Sequence, residues 1–312
     1  MTDTLRLGTR RSALAMAQAT AVATAITELA GCSVELVEVT TVGDTNRRPL
    51  AEIGGTGVFV SALRDALLAD TVDIAVHSLK DLPTAPAEGL LLAAVPRRED
   101  PRDVLVARDG LMLAELPNGA RVGTGSPRRA GQLRWLGLGF DVVPIRGNVD
   151  TRLRLVREGE LDAVVLARAG LARLGRLDEA SEVLDPLQML PAPGQGALAV
   201  ECRATDPGTA VLLAGLDDAD TRAAVAAERT LLAALEAGCT APVGALAEVA
   251  EAEEEGAPPE LYLRAVVATV DGTASVRMSA TGRLADAEGI GRALAAEMLA
   301  DGADALIGER IP

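Results

Sequence analysis

Short apolar runs alternate with amphipathic stretches along the first 200 residues, and this alternation restricts the fold more than anything else in the chain. "LRLGT" (5–9) has the pattern of a strand, and residues 12–29 have helical spacing, with Ser12 placed as an N-cap. "SVELVEVTT" alternates like a strand, "GGTGVFVSALRDALLAD" is a glycine-rich loop running into a helix, and "TVDIAVHS", "LLLAAV" and "DVLVA" are short apolar strands. A second series follows: strand "RVGTG", helix "SPRRAGQLRWLG" with Ser126 at the N-cap and Pro127 at N1, strand "DVVPI", helix "VDTRLRLVREG", then strands "LDAVVLA" and "ALAVECR". Such a series predicts α/β domains with mostly parallel sheets and helices on both faces. Ligands of such sheets sit beyond the carboxyl ends of the strands. The loops at 8–12, 77–84, 123–129 and 146–152 fall there.

After about residue 218 the pattern changes. A helix over 220–238 is followed by "CTAPVGALAEVA", an acidic loop "EAEEEGAPPE", a hairpin turning at Asp271-Gly272 and a closing helix, which together predict a small α+β domain. The sequence shows no long-period repeat. At 312 residues the chain exceeds the roughly 250–300 that one core supports, so two or three domains are expected. Aromatic residues make up only 1%, which leaves the core to Leu, Val, Ile and Ala.

No run reads as the roughly 18 apolar residues of a membrane span, and the N-terminus does not read as a signal peptide. Three scattered cysteines argue against a disulfide framework and for a reducing cytoplasm. The net charge of −15 disfavours nucleic acid as a partner.

Arginines nevertheless recur at strand-to-helix junctions: Arg10-Arg11, Arg128-Arg129, and Arg146 with Arg152. A helix N-terminus presents free N–H groups, and guanidinium groups beside it make a site for carboxylate or phosphate. Taken singly, each arginine is a solvated surface charge; three clusters on ligand-side loops point to a polyanion. The chain's only histidine and only lysine, His77 and Lys80, stand within four residues and next to Asp81. Among arginines Asp81 stays ionised and can stabilise a cation or shuttle a proton; alternatively it caps a turn. His77 lacks a partner for metal binding, which favours a buried structural role. "GGTGVF" lacks the spacing and lysine of a phosphate loop and reads as a flexible turn or lid. Cys32 and Cys202 read as small buried hydrophobes. Cys239, after a helix and a glycine, is either an ordinary loop residue or a reactive thiol.

Together, "LRLGTRRSALAMAQ", "DIAVHSLKDLPT", "EDPRDVLVA", "VGTGSPRRAGQL", "IRGNVDTRL", "VVLARAGLARLG", "PAPGQGALAVECR" and "LEAGCTAPVGA" closely resemble the hydroxymethylbilane synthase family, also called porphobilinogen deaminases. The stretches run in family order from residue 5 to about 245; the last 65 residues match mainly in pattern. The resemblance implies three domains: 1–97 with 195–216, and 98–194, both similar to type II solute-binding proteins, then an α+β domain over 217–312. It implies a transferase that joins four porphobilinogens head to tail, releasing ammonia, on a dipyrromethane cofactor bound to Cys239 by a thioether. It implies that Asp81 is catalytic, supporting the azafulvene cation left by deamination. It implies that Lys80, Ser12, Ser126, Arg128, Arg129 and Arg146 hold the cofactor, and Arg10, Arg152, Arg173 and Phe59 the substrate. It also implies a monomer and gives His77 no defined role.

Three positions depart from the family's usual pattern. Thr56 and Ser61 stand where many members have lysines, Gly125 stands where a serine is usual, and aromatics are few, with Phe59 and Phe140 the only phenylalanines. The competing reading is a two-lobed carboxylate-binding module without catalysis.

Overall fold

The computed structural model describes residues 4–40, 57–238, 241–250 and 258–307, with the backbone alone for 57–59. Cys239, Thr56 and the side chain of Phe59 therefore lie outside the described residues. The chain divides into two compact units, residues 1–99 with 197–222, and residues 100–196 with 223–312.

The first unit holds a five-stranded sheet built from β1 (Leu5–Thr9), β2 (Val34–Glu38), β3 (Ile74–Ser78), β4 (Leu90–Ala94) and β10 (Leu198–Arg203), in the order β2-β1-β3-β10-β4. β1 pairs in parallel with β2 and β3, while β10 runs antiparallel to both β3 and β4. Four strands thus share a direction and one opposes them. Strand alternation sends Ile74, Val76, Leu198 and Val200 to the face covered by α1 (Ala13–Ala30) and α6 (Pro207–Ala214). Ala75 lies on the other face, packed with Leu63 and Leu67 of α2 (Gly57–Leu68).

α1 corrects one expectation. It is long and apolar enough to span a membrane by length and composition. However, Gln18, Ala19, Val22 and Ile26 are buried at helical spacing against the sheet, the pattern of a core-facing helix. Cys202 is fully buried as expected, whereas Cys32 is only half-buried.

The second unit holds two sheets. The larger combines β5 (Asp103–Ala107), β6 (Arg121–Thr124), β7 (Asp141–Pro144), β8 (Ala163–Ala167) and β9 (Glu182–Val183), in the order β7-β6-β8-β5-β9. β6 is parallel to β7 and β8, and β5 is antiparallel to β8 and β9. One face packs on α3 (Pro127–Trp135) through Ala130 and Leu133; the other packs on α4 (Val149–Arg157) and α5 (Arg168–Arg173) through Leu153, Val156 and Leu171. The smaller sheet is the meander β11 (Val243–Ala250), β12 (Glu260–Ala268) and β13 (Ser275–Arg283). It is backed by α7 (Ala219–Ala234), within which the chain passes between units, by α8 (Ala287–Ala300) and by the short α9 (Ala303–Ile307). The β12–β13 turn falls at the expected place, with Gly272 at φ 73°.

The two larger sheets share a plan that the sequence did not reveal as a repeat. In each, an arginine on the first of the like-directed strands and an aspartate before the third exchange two hydrogen bonds through their backbones and the aspartate carboxylate. Arg6 N donates to Asp73 Oδ2 (2.9 Å) and Asp73 N to Arg6 O (2.8 Å). Arg121 N donates to Asp162 Oδ2 (2.7 Å) and Asp162 N to Arg121 O (2.9 Å). A second arginine at the end of the reversed strand, Arg203 within β10 or Arg108 just after β5, pairs with the same aspartate. These clamps close the sheet edges opposite the strand-to-helix loops.

The clamp predicts acid sensitivity. Hydrogen bonds from Arg6, reinforced by Arg203, lower the Asp73 pKa from 3.8 to about 2. A depressed carboxylate contributes stability above its unfolded pKa and loses it as pH falls through the folded value. Chemical denaturation midpoints should therefore drop between about pH 4 and 2. Asp73→Asn should be less stable at neutral pH and show a shallower decline in that window; an unchanged acid profile would overturn the assignment.

Candidate active site

The junctions expected to bind ligands all lie at the edge where parallel strands end. In the second unit these are the turns from β6 to α3, from β7 to α4 and from β8 to α5. Ser126 caps α3, its Oγ accepting from Arg129 N (3.5 Å), and Asn148 caps α4 by accepting from Thr151 N (2.9 Å). β5 runs the other way, so its first residue, Asp103, lies at this same edge, paired across the sheet with Ala167.

Asp103 organises the arginine pair. Its side chain is fully buried; Arg128 Nη2 donates to Oδ2 (2.8 Å) and Arg129 Nη2 to Oδ1 (2.8 Å). Gln195 Nε2 adds a bond to Oδ1 (2.7 Å). Burial alone would raise this carboxyl's pKa, but the charges of Arg128 and Arg129 hold it far below the usual carboxylate range. The guanidinium groups also donate to the Leu190 and Val165 carbonyls. Arg128 and Arg129 are thus buried in the unit's interior rather than solvated, and each keeps a buried Nε without an acceptor among the described residues.

Arg152 is different. It lies half-buried on α4, and its Nε donates to the Gly147 carbonyl (3.0 Å). Among the described residues it pairs with no carboxylate. Burial, with the nearby charge of Arg129, lowers its pKa to about 10. A cation held where its charge is disfavoured gains most from an incoming anion.

Gly125 brings the two loops together. A Cβ there would lie 2.6 Å from the Ile145 carbonyl oxygen and 3.8 Å from Arg152 Nη2. The departure from serine therefore does more than remove a hydroxyl, because no side chain fits without shifting the 145–148 loop. Arg146 is exposed on that loop, and Arg173, half-buried at the end of α5, donates from Nη2 to Gly196 O (2.6 Å).

The small sheet packs against α3. Arg134 Nη1 donates to Val270 O (2.6 Å), and a Cβ at Gly131 would sit 2.6 Å from Thr269 O. Ala245 N donates to Pro191 O (2.9 Å), next to the Leu190 carbonyl that Arg128 uses. Glu228 of α7, fully buried, accepts from Gly194 N (2.6 Å) and Ala247 N (2.8 Å). The strand that follows Cys239 is thus fixed beside the arginine pair within this unit.

In the first unit, Arg10 and Ser12 follow β1, and Ser12 Oγ accepts from Ala15 N (3.3 Å). Lys80 and Asp81 occupy a 3₁₀ turn, Leu79–Asp81, directly after β3, both half-buried. The parallel β1–β3 pair puts Arg10, Ser12, Lys80 and Asp81 at one sheet edge. His77 is buried, with Nε2 3.2 Å from Glu201 Oε2, a close approach without the alignment of a hydrogen bond. Among the described residues no three His, Cys, Asp or Glu side chains gather as a metal site.

Sequence reasoning missed Asp103, Gln195, Glu201 and Glu228. The acids carried a signal: Asp103 heads the apolar strand "DVLVA", Glu201 interrupts "ALAVECR", and Glu228 interrupts "AAVAAERTLLAA". An acid inside an apolar run requires a buried partner.

Comparison with known proteins shows the family. The family model described as "Porphobilinogen deaminase, dipyromethane cofactor binding domain" matches residues 5–210, and "Porphobilinogen deaminase, C-terminal domain" matches residues 222–300. The chain is similar to porphobilinogen deaminase 1 of Streptomyces coelicolor, 61% identical and covering 98% of each chain. It is also similar to porphobilinogen deaminase of Mycobacterium tuberculosis, 57% identical over 97% of this chain and 98% of that protein. Among solved structures, a periplasmic substrate-binding protein of an ABC transporter from Coxiella burnetii is similar at 13% identity and a TM-score of 0.43, covering 68% of this chain and 92% of that one. The sequence matches carry the transferase reading and leave the non-catalytic module unsupported: the chain belongs to the porphobilinogen deaminase family.

Proposed function

We propose that this deaminating transferase of porphobilinogen extends a pyrrole chain on a dipyrromethane held by Cys239 through a thioether, with Asp81 serving the reacting end and arginines serving the carboxylates. The observation that carries the reading is Arg152, a sheltered cation repelled by Arg129 and lacking a carboxylate partner among the described residues. The protein groups suit a polycarboxylate, since the unpartnered Nε–H donors of Arg128 and Arg129 and the capped start of α3 lie at the same edge. A dipyrromethane, when bound, supplies the pyrrole carbon to which the first substrate ring is joined.

The residues divide by role. Arg128, Arg129, Arg146, Ser126, Ser12 and Lys80 hold the cofactor's acidic side chains, and Arg10, Arg152, Arg173 and Phe59 the incoming substrate. As porphobilinogen loses ammonia, positive charge develops on its methylene carbon and ring nitrogen. The Asp81 carboxylate stabilises that cation, and after the carbon–carbon bond forms it accepts the proton released from the attacked ring. The same reading has the chain acting as a monomer; it also places it in a reducing cytoplasm, with which the free thiols of Cys32 and Cys202 are consistent.

Intact mass spectrometry tests the tether. The purified chain should exceed its sequence mass by two pyrrole units, and Cys239→Ser should show no excess and no turnover; a fully active protein at its sequence mass would overturn the proposal. Asp81→Asn should keep the excess mass while kcat falls about 10²–10⁴-fold, the usual contribution of a positioned proton-transfer group. Near-normal turnover would remove Asp81 from the mechanism.

Arg152 has its own signature. A charge-assisted bond contributes about 1.5–3 kcal/mol, so Arg152→Leu should raise the KM for porphobilinogen by roughly ten- to a hundredfold. Thermal stability should hold or rise, because a disfavoured cation has been removed. Lost stability with an unchanged KM would make Arg152 structural.

A further inference from the structure

The Asp81 turn is the end of a strand tied on both faces by buried polar side chains. On the face toward α1, Gln18 Nε2 donates to Ser78 Oγ (2.9 Å), and Gln18 is buried. On the face toward α2, the Glu201 carboxylate of β10 receives Arg64 Nε (3.0 Å) and Nη2 (2.8 Å) and approaches His77 Nε2 (3.2 Å). The register explains the triad: Ala199 faces His77 and Glu201 faces Ala75, so His77 and Glu201 are diagonal neighbours on one side of the sheet. Arg64 reaches them from the same side of α2 that packs Leu63 and Leu67 on the sheet. Finally, Leu79 N donates to Ala197 O (3.0 Å), fastening the first residue of the turn.

The Glu201 and His77 side chains are 3% and 4% exposed, and that of Arg64 16%. Despite burial, the interactions with His77 and Arg64 hold the Glu201 pKa at about 2, so the carboxylate stays ionised. Such a cluster contributes little net stability relative to apolar side chains of similar size. What it supplies is direction. A forked guanidinium–carboxylate pair fixes angle and distance, whereas leucine packing tolerates sliding.

We propose that Glu201, through His77 and Arg64, is a positioning residue for the condensation. It locks the end of β3 against α2 and so sets where the following turn holds Asp81. The inference rests on Asp81 being the group that serves the reacting carbon. His77 thereby gains a role, because its imidazole ties the strand position four residues before Asp81 to the Glu201 carboxylate.

Steady-state kinetics of the cofactor-loaded enzyme on Glu201→Gln, His77→Leu, His77→Gln and Asp81→Asn test this, with melting curves recorded for each. Misplacing a reacting group by about 1 Å can cost about a hundredfold. Glu201→Gln and His77→Leu should therefore lower kcat by roughly ten- to a hundredfold at temperatures where both are fully folded, with KM little changed. His77→Gln, which keeps a donor toward Glu201, should recover most of the loss. A purely structural cluster would instead lower the melting temperature and leave the kcat of the folded fraction intact, and that result overturns the proposal. If Glu201→Gln fails to fold, His77→Leu decides, because it keeps the Arg64–Glu201 pair. If Asp81→Asn turns over normally, the Asp81 reading has failed; if Asp81→Asn is inactive while folded His77→Leu keeps wild-type kcat, the positioning inference alone has failed.

Discussion

At Asp103 one buried carboxylate serves two buried guanidinium groups, and much of the second unit is arranged around that inequality. Removing any of the three charges from water alone would be costly; together they form a paired cluster with one positive charge to spare. Arg152 adds a second, so this edge of the sheet carries more cation than the neighbouring protein neutralises. The inequality depends on strand direction. Only because β5 runs against its neighbours does its first residue fall where β6, β7 and β8 end. A parallel β5 would send Asp103 to the far edge and leave the arginine pair without a counter-ion.

The same construction appears in the first unit with different contents. There the reversed strand β10 begins beside the end of β3, and its approach supplies the Ala197 carbonyl that holds Leu79. The far edges are alike to the level of individual bonds, Arg6, Asp73 and Arg203 matching Arg121, Asp162 and Arg108. The clamps thus hold one end of each sheet, and the residues proposed for the chemistry lie at the other. Loops at the chemical end can diverge, one unit carrying an arginine pair and the other a Lys-Asp turn, without loosening the clamp behind them.

Local physics made much of this legible in the sequence. Ser12 and Ser126 cap the helices assigned to them, because an N-cap is a short-range bond. Strands and the 271–272 turn fell where apolar alternation and glycine placed them. The repeated clamp is hard to see in the sequence because its members are nearly 70 residues apart in one unit and about 40 in the other, and the copies share only the short runs "RLGT" with "RVGT" and "VDIAV" with "LDAVV". The buried acids were missed for a related reason. An acid in an apolar run declares that it needs a partner, but the partner is chosen by strand order, and composition cannot give strand direction. Arginine at a strand end was read as ligand-facing; Arg128 and Arg129 show that one residue type at one kind of junction also serves an internal carboxylate.

The overall charge sharpens the point. A chain with a net charge of −15 repels an acidic substrate at long range, and salt screens that repulsion beyond about 10 Å. Binding must therefore come from charges close to the ligand and poorly screened, which requires cations withdrawn from water. Exposed arginines would bind the oligomer weakly and exchange it readily for salt. Arginines that were buried and fully paired would bind nothing. A cluster with more guanidinium than carboxylate, partly sheltered and anchored by Asp103, lies between these limits. It keeps the positive charge in place before any ligand arrives, and in the proposed reaction the growing acidic chain, rather than another protein carboxylate, completes the pairing.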